Sequence, residues 1–126
     1  LFDYIHSLDN LKLANKISET QKKLNKSTKI FIQVNIGNES QKSGIDKNKV
    51  FEFYNSCKNL NLDIIGTMCI PPDDNKTDFY FEQMKEINNQ LHLNELSMGM
   101  SNDYLKAIRY SATFLRIGTK IFGNRT

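Results

Sequence analysis

Short apolar runs alternate with segments of helical periodicity along this chain of 126 residues. Runs of strand character lie at residues 2–6, 30–36, 62–68, 95–98 and 113–117, and the intervals between them carry apolar residues at helical spacing. The strand starts recur roughly every 30 residues, which is the length of one strand–helix unit, until a shorter final unit. Such alternation predicts parallel strands with right-handed helical crossovers.

The strand interiors are apolar nearly throughout, as expected where helices cover the outer face of a sheet. The first helix is predicted to follow Asp9, which suits an N-cap, with Leu11, Ala14 and Ile17 on its apolar face. The pattern fits an α/β protein with either an open doubly wound sheet or a closed (βα)8 barrel. Periodicity alone does not choose between them.

Composition excludes several classes of protein. Hydrophobic residues make up 39% and charged residues 25% of the chain, as in soluble globular proteins. The lysines behind the net charge of +3 are scattered among acidic residues, so we expect no nucleic-acid partner. No apolar run approaches the ~20 residues of a membrane span, and we expect no membrane partner. Cys57 and Cys69 lack metal-ligand spacing and are too few for a disulfide framework, which favours a reducing cytoplasm.

Polar or conformationally special residues stand where the predicted strands end. They are His6, Asn35, residues 68–71, residues 97–101 and residues 116–119. In parallel α/β proteins the functional site lies at the carboxyl ends of the strands. A single residue such as Asn35 could instead satisfy backbone groups of its loop. The coincidence across five strands favours a site.

Two of these segments carry a glycine beside small hydroxyl residues. They are Ser97-Met98-Gly99-Met100-Ser101 and Arg116-Ile117-Gly118-Thr119. A glycine turn between a strand and a helix leaves backbone N–H groups free to hold a phosphate. In (βα)8 barrels, the loops after strands seven and eight share one phosphate. The pair therefore predicts a phosphate-bearing cofactor at the open end of a barrel, although Ser97 taken alone could serve its own loop.

Arg116 interrupts an apolar run, and a buried guanidinium is costly unless it has a partner. The partner is either a carboxylate of the chain (Asp3, Asp63 or Asp103) or an acceptor on a ligand. Because arginine stays protonated, it can donate to a ring nitrogen without giving up a proton.

Five segments together closely resemble the pyridoxal phosphate homeostasis protein family: residues 5–9, 33–45, 66–71, 96–101 and 116–123. The resemblance spans essentially the whole chain. It implies a partial (βα)8 barrel of the alanine racemase N-terminal-domain type, with residues 1–126 as the C-terminal part of one domain and about the last five strands present. It also implies pyridoxal 5′-phosphate (PLP) at the barrel mouth and no catalytic turnover.

The resemblance implies that Ser97, Gly99, Gly118 and Thr119 help hold the phosphate and that Arg116 faces the pyridine nitrogen. An arginine at this nitrogen leaves the ring largely unprotonated and weakens it as an electron sink, so that PLP is carried rather than used. The remaining residues of the expected cofactor site are Asn35, Met68, Met98 and Ser101.

The family's Schiff-base lysine would lie upstream of Leu1, so we expect this portion alone to bind PLP weakly. Because the sequence begins with Leu1, not with methionine, and in the middle of a predicted strand, we expect an upstream portion with about three further strands in the full protein. The expected partners are PLP and PLP-dependent apoenzymes, with a monomer at full length. One alternative is a PLP-dependent amino-acid racemase on the same barrel, which would need a second acid–base residue. Another is a barrel for a different phosphorylated metabolite.

Overall fold

The computed structural model describes residues 4–39, 43–72, 75–100 and 114–116, with 99, 100 and 114–116 described by their backbone alone. The helices are α1 (Leu11–Leu24), α2 (Val50–Asn59, after a 3-10 turn at Lys47–Lys49) and α3 (Thr77–Gln90). The strands are β1 (Tyr4–Leu8), β2 (Lys29–Asn35), β3 (Ile45–Asp46), β4 (Asp63–Met68), β5 (Glu95–Met100) and β6 (Phe114–Arg116). The helix predicted after Ser101 lies outside the described residues.

The strands form one sheet in the order β1-β2-β4-β5-β6, and every pairing is parallel. The predicted parallel alternation is therefore confirmed. The short strand β3 was not predicted; it pairs with the end of β2, with Val34 opposite Ile45. Its two residues lie in a polar segment and carry no apolar run that a sequence pattern could detect.

The two faces of β2 meet different surroundings. Ile30, Ile32 and Val34 belong to the main core cluster, together with residues of all three helices such as Ala14, Phe53 and Phe81. Phe31 is also fully buried, but it lies outside that cluster. Because side chains alternate along a strand, Ile30, Ile32 and Val34 face the helices and Phe31 faces the opposite, inner side of the sheet.

A bulge in β4 keeps the two faces separate. Ile30 pairs with Ile64 and Phe31 with Gly66, so Ile65 is an extra residue on β4. Gly66 therefore falls on the inner face beside Phe31. A Cβ added at Gly66 would stand 2.0 Å from the carbonyl oxygen of Glu95 on the next strand, so only glycine fits there.

The N-cap of α1 differs from the prediction. The side chain of Asn10, not Asp9, accepts the hydrogen bond from the backbone N–H of Leu13, at 2.8 Å. Asp9 instead accepts from the backbone N–H of Gly44, at 2.9 Å, and so joins the loop after β1 to the loop after β2. Gly44 has a φ of 116°, a conformation that favours glycine. The prediction was wrong because a long-range contact competes for the Asp9 carboxylate.

The sheet is strongly curved. His6 on β1 and Ser97 on β5 are hydrogen-bonded, with 2.9 Å between Nδ1 and Oγ, although β2 and β4 lie between these strands. Neighbouring strands are about 4.8 Å apart, so three steps across a flat sheet would separate them by about 14 Å. The contact requires the sheet to curl around its inner face, as in a section of a barrel rather than an open sheet.

None of the described helices is both long and apolar enough to span a bilayer.

Candidate functional site

The two glycine segments are carried by neighbouring strands. β5 and β6 pair in parallel, with Ser97 opposite Phe114 and Met100 opposite Arg116. Both strands therefore end at the same edge of the sheet. Gly99, Met100 and Arg116 are placed at this edge by their backbone, whereas Ser101, Gly118 and Thr119 lie outside the described residues.

Ser97 lies within β5, because the strand continues to Met100 and not only to residue 98 as predicted. Its side chain is fully buried, and its hydroxyl is engaged with His6. Its carbonyl oxygen accepts a hydrogen bond from the backbone N–H of Cys69, at 3.1 Å. Ser97 is thus fixed through both its side chain and its backbone at the start of the first glycine segment.

His6 forms the opposite half of this contact. Its ring is buried and stacks on Phe31, with 4.4 Å between centroids and 16° between planes. The sequence pattern placed this histidine among the strand-end residues of the predicted site. Its contact with a residue 91 positions away was missed, and no local pattern could have revealed it.

The two methionines of the predicted site face different sides. Met98 is fully buried in the core cluster with the helices, so its side chain points away from the inner face and only its backbone is available to a ligand. Met68 is buried outside that cluster and pairs in register with Ser97. Met68 therefore lies on the inner face, next to Ser97.

The side chain of Asn35 is committed to its own loop. Its Nδ2 donates to the carbonyl oxygen of Glu39 at 2.6 Å, and its Oδ1 accepts from the N–H of Glu39 at 3.1 Å. This is the local role that the sequence left open for Asn35. A second contact supports the same loop: a Cβ added at Gly37 would stand 2.2 Å from the ring of Pro72 in the loop after β4. The rim of this edge is therefore built from loops that brace one another.

The charge along β5 and β6 suits an anion. Within their described residues the one acid is Glu95, at the amino end of β5, while Arg116 closes β6 at the carboxyl end. Asp63 begins β4 at the opposite edge of the sheet and is exposed, so it is poorly placed to pair with Arg116. The other two candidate carboxylates, Asp3 and Asp103, lie outside the described residues.

The amino edge of the sheet contains a cavity of about 390 Å³. Apolar, polar and charged residues line it, and it lies at the opposite end of the strands from Gly99 and Arg116. The lining residues are Tyr4, Lys29, Ile64, Ile65, His92, Leu93, Asn94 and Glu95. This cavity is not the predicted cofactor site, because that site was predicted at the carboxyl ends of the strands, whereas Tyr4, Lys29 and Glu95 begin theirs.

Neither cysteine indicates a reactive centre. Cys57 is fully buried in the core, and desolvation raises the pKa of its thiol to about 11. Cys69 is also buried and is not disulfide-bonded. Over the part of the chain that the structure describes, no three His, Cys, Asp or Glu side chains are grouped closely enough to hold a metal ion.

The curved sheet of parallel strands, in which β5 and β6 end at the same carboxyl edge, defines a strand–helix barrel protein. Residues 2–126 match the family described as "Alanine racemase, N-terminal domain", and the chain belongs to this family. The resemblance drawn from the sequence motifs is confirmed by relatives named "Pyridoxal phosphate homeostasis protein". The protein of Pasteurella multocida is 36% identical over 98% of this chain, and that of Aquifex aeolicus is 38% identical over 96%.

Two solved structures of one related protein have the same fold as this chain. PipY of Synechococcus elongatus, solved with PLP bound, is 32% identical and superimposes with a TM-score of 0.80 over 97% of this chain and 61% of its own. The same protein without PLP gives a TM-score of 0.83 at 33% identity, over 97% and 62%. The chain spans 58% of the length of each of the two curated relatives above.

Proposed function

We propose that this chain forms the PLP-binding mouth of a cytoplasmic protein that holds PLP and delivers it to apoenzymes, without catalytic turnover of its own. The observation that carries the proposal is the parallel pairing of β5 with β6, in which Met100 stands opposite Arg116. This pairing brings Met100 of the first glycine segment and Arg116, which begins the second, to the same edge of the sheet. The names of the relatives and the PLP bound in PipY point in the same direction.

The residues at this edge fit such a cofactor. A phosphate dianion is held by free backbone N–H donors and hydroxyl groups, and both glycine segments carry these groups in their sequence. In this proposal the phosphate is held by Ser97, Gly99, Ser101, Gly118 and Thr119. The hydroxyl of Ser97 is already hydrogen-bonded to His6. It therefore either makes a second hydrogen bond, to the phosphate, or acts by fixing the position of the strand.

The ring of the cofactor would lie over the inner face of the sheet, beside Met68. Arg116 would donate a hydrogen bond to the pyridine nitrogen and keep its own proton, because its pKa lies far above neutral pH. PLP when bound supplies an electron-accepting ring and a reactive aldehyde. An arginine partner leaves that ring unprotonated, and this is why we propose carriage of PLP in preference to amino-acid chemistry.

Ligand-dependent stability tests the proposal. PLP at about 100 times its dissociation constant should raise the free energy of unfolding by about 2.7 kcal/mol. Pyridoxal, which lacks the phosphate, should bind more weakly, and ribose 5-phosphate should not bind comparably. Arg116→Met should weaken PLP binding, whereas Lys29→Met, which removes the same charge at the amino edge of β2, should not.

Two results would contradict the proposal. One is an equal loss of PLP affinity in the Lys29 and Arg116 variants, which would indicate a general charge effect. The other is measurable racemisation of alanine by the wild-type protein with PLP, which would favour the racemase-like alternative. Equal stabilisation by PLP and ribose 5-phosphate would instead favour a site for phosphorylated metabolites in general.

A further inference from the structure

The hydrogen bond between His6 and Ser97 joins the first described strand to the first glycine segment. The two residues are 91 positions apart in sequence, and their side chains are 2.9 Å apart across the inner face. Both side chains are buried, with exposed fractions of 7% for His6 and 0% for Ser97. The ring of His6 is further held by its stack on Phe31.

Burying a pair of polar side chains has a free-energy cost. Two apolar side chains of similar size would pack on the inner face without the cost of removing polar groups from water. What the pair provides is a fixed position, because a hydrogen bond defines distance and direction where apolar packing does not. Ser97 is two residues before Gly99, and its backbone is also held by Cys69.

We propose that His6 is a positioning residue for the first glycine segment, residues 97–101. Through its hydrogen bond to the Ser97 hydroxyl, it fixes where β5 places the backbone of Gly99 and Met100 relative to a phosphate. This inference rests on the proposed function and deepens it, since it assigns to His6 a contribution to the phosphate of the ligand and not to its ring. The proton of the hydrogen bond comes from His6 Nδ1 or from Ser97 Oγ, according to the tautomer of the imidazole.

Two substitutions at His6 separate positioning from packing. His6→Phe keeps an aromatic ring to stack on Phe31 but removes the nitrogen that contacts Ser97. His6→Asn loses the stack but places an amide close to the former Nδ1, so it can restore the hydrogen bond. Asn88→Ala is the matched control for stability, because Asn88 is a buried polar residue of α3 that contacts Thr67 and Glu95, not Ser97.

The measurement compares the dissociation constants of PLP and pyridoxal in each variant. For His6→Phe we expect PLP to bind about tenfold more weakly, which corresponds to the loss of one buried hydrogen bond. Pyridoxal should change little, because it has no phosphate to misplace. His6→Asn should recover most of the PLP affinity, and His6→Phe should have no further effect when Ser97 is already alanine.

Other outcomes would overturn this inference, either alone or together with the proposed function. Equal losses for PLP and pyridoxal in His6→Phe, or a loss of PLP affinity matched by Asn88→Ala, would show that His6 acts only through stability and would overturn this inference while leaving the proposed function intact. A wild-type protein that binds neither ligand would overturn the proposed function and this inference with it.

Discussion

Asn88 fastens helix α3 to the two strands that lead into the candidate site. Its side chain is 3% exposed. Its Oδ1 accepts a hydrogen bond from the Thr67 hydroxyl on β4 at 3.0 Å, and its Nδ2 donates to the carbonyl oxygen of Glu95 on β5 at 2.8 Å. Replacing Asn88 with alanine removes both bonds from a site with little access to water, so we expect a marked loss of stability.

The expected magnitude follows from the two partners. The Thr67 hydroxyl is fully buried, and a buried group left without its partner costs about 1–3 kcal/mol. The lost bond to the Glu95 carbonyl adds about 1 kcal/mol. Alanine favours the helix over asparagine by roughly 0.5 kcal/mol, which offsets part of this cost. The net expected loss in the free energy of unfolding is about 1.5–3.5 kcal/mol.

Urea unfolding monitored by circular dichroism measures this loss, and Asn89→Ala is the matched control. Asn89 lies next to Asn88 on the same helix but is exposed, so its substitution has the same helix-propensity effect and no buried partners. We expect its change in stability to stay within about 0.5 kcal/mol. Thr67→Val should recover stability when combined with Asn88→Ala, because it removes the stranded hydroxyl. If Asn88→Ala and Asn89→Ala unfold at the same urea concentration, the reasoning is refuted.

Three further predictions concern Gly66, Cys57 and Asn10. Gly66→Ala should cost at least about 2 kcal/mol in urea unfolding, because its Cβ would meet the Glu95 carbonyl at 2.0 Å, and wild-type stability would contradict the bulge geometry. The Cys57 thiol, with its pKa raised by burial to about 11, should resist iodoacetamide at pH 8 until the protein unfolds. The same pKa shift makes the free energy of unfolding constant below the ordinary pKa of 9.0 and lower as pH rises towards 11, because only the unfolded thiol loses its proton in that range. Cys57→Ala should lack this pH dependence. Rapid labelling of Cys57 in the native protein would contradict its burial. Asn10→Ala should lower stability by about 1 kcal/mol through loss of the α1 cap, and an unchanged urea midpoint would argue against the observed N-cap.

The parallel direction of the strands could be predicted from the sequence because it follows from the alternation of strands and helices, whereas their order could not, because the same periodicity also fits an open doubly wound sheet. Each long strand is an apolar run and each described helix has an apolar face, and a helical crossover between consecutive strands makes them parallel. The adjacency of the segments ending in Met100 and Arg116 follows from the barrel that the family resemblance implies, because consecutive strands are neighbours in a (βα)8 barrel.

What the sequence could not reveal depends on long-range contacts. The hydrogen bond between His6 and Ser97 forms only because the sheet curls. Asn10 caps α1 in place of Asp9, because the Asp9 carboxylate accepts a hydrogen bond from the backbone N–H of Gly44. The orientation of Met98 towards the helices, in contrast, follows from the local alternation of side chains along β5. Of the predicted site, Ser97, Met98, Asn35 and Met68 have described side chains, and of these Met68 and Ser97 share the inner face.

The most direct test of the central claim is a titration of the isotopically labelled protein with PLP, followed by backbone amide chemical shifts. If the two glycine segments converge on one phosphate, the largest shifts will come from residues 99–101 and 117–119, and inorganic phosphate will move the same amides by smaller amounts. Shifts concentrated at the amino edge, around Lys29, His92 and Glu95, would contradict the account, as would shifts in one glycine segment without the other.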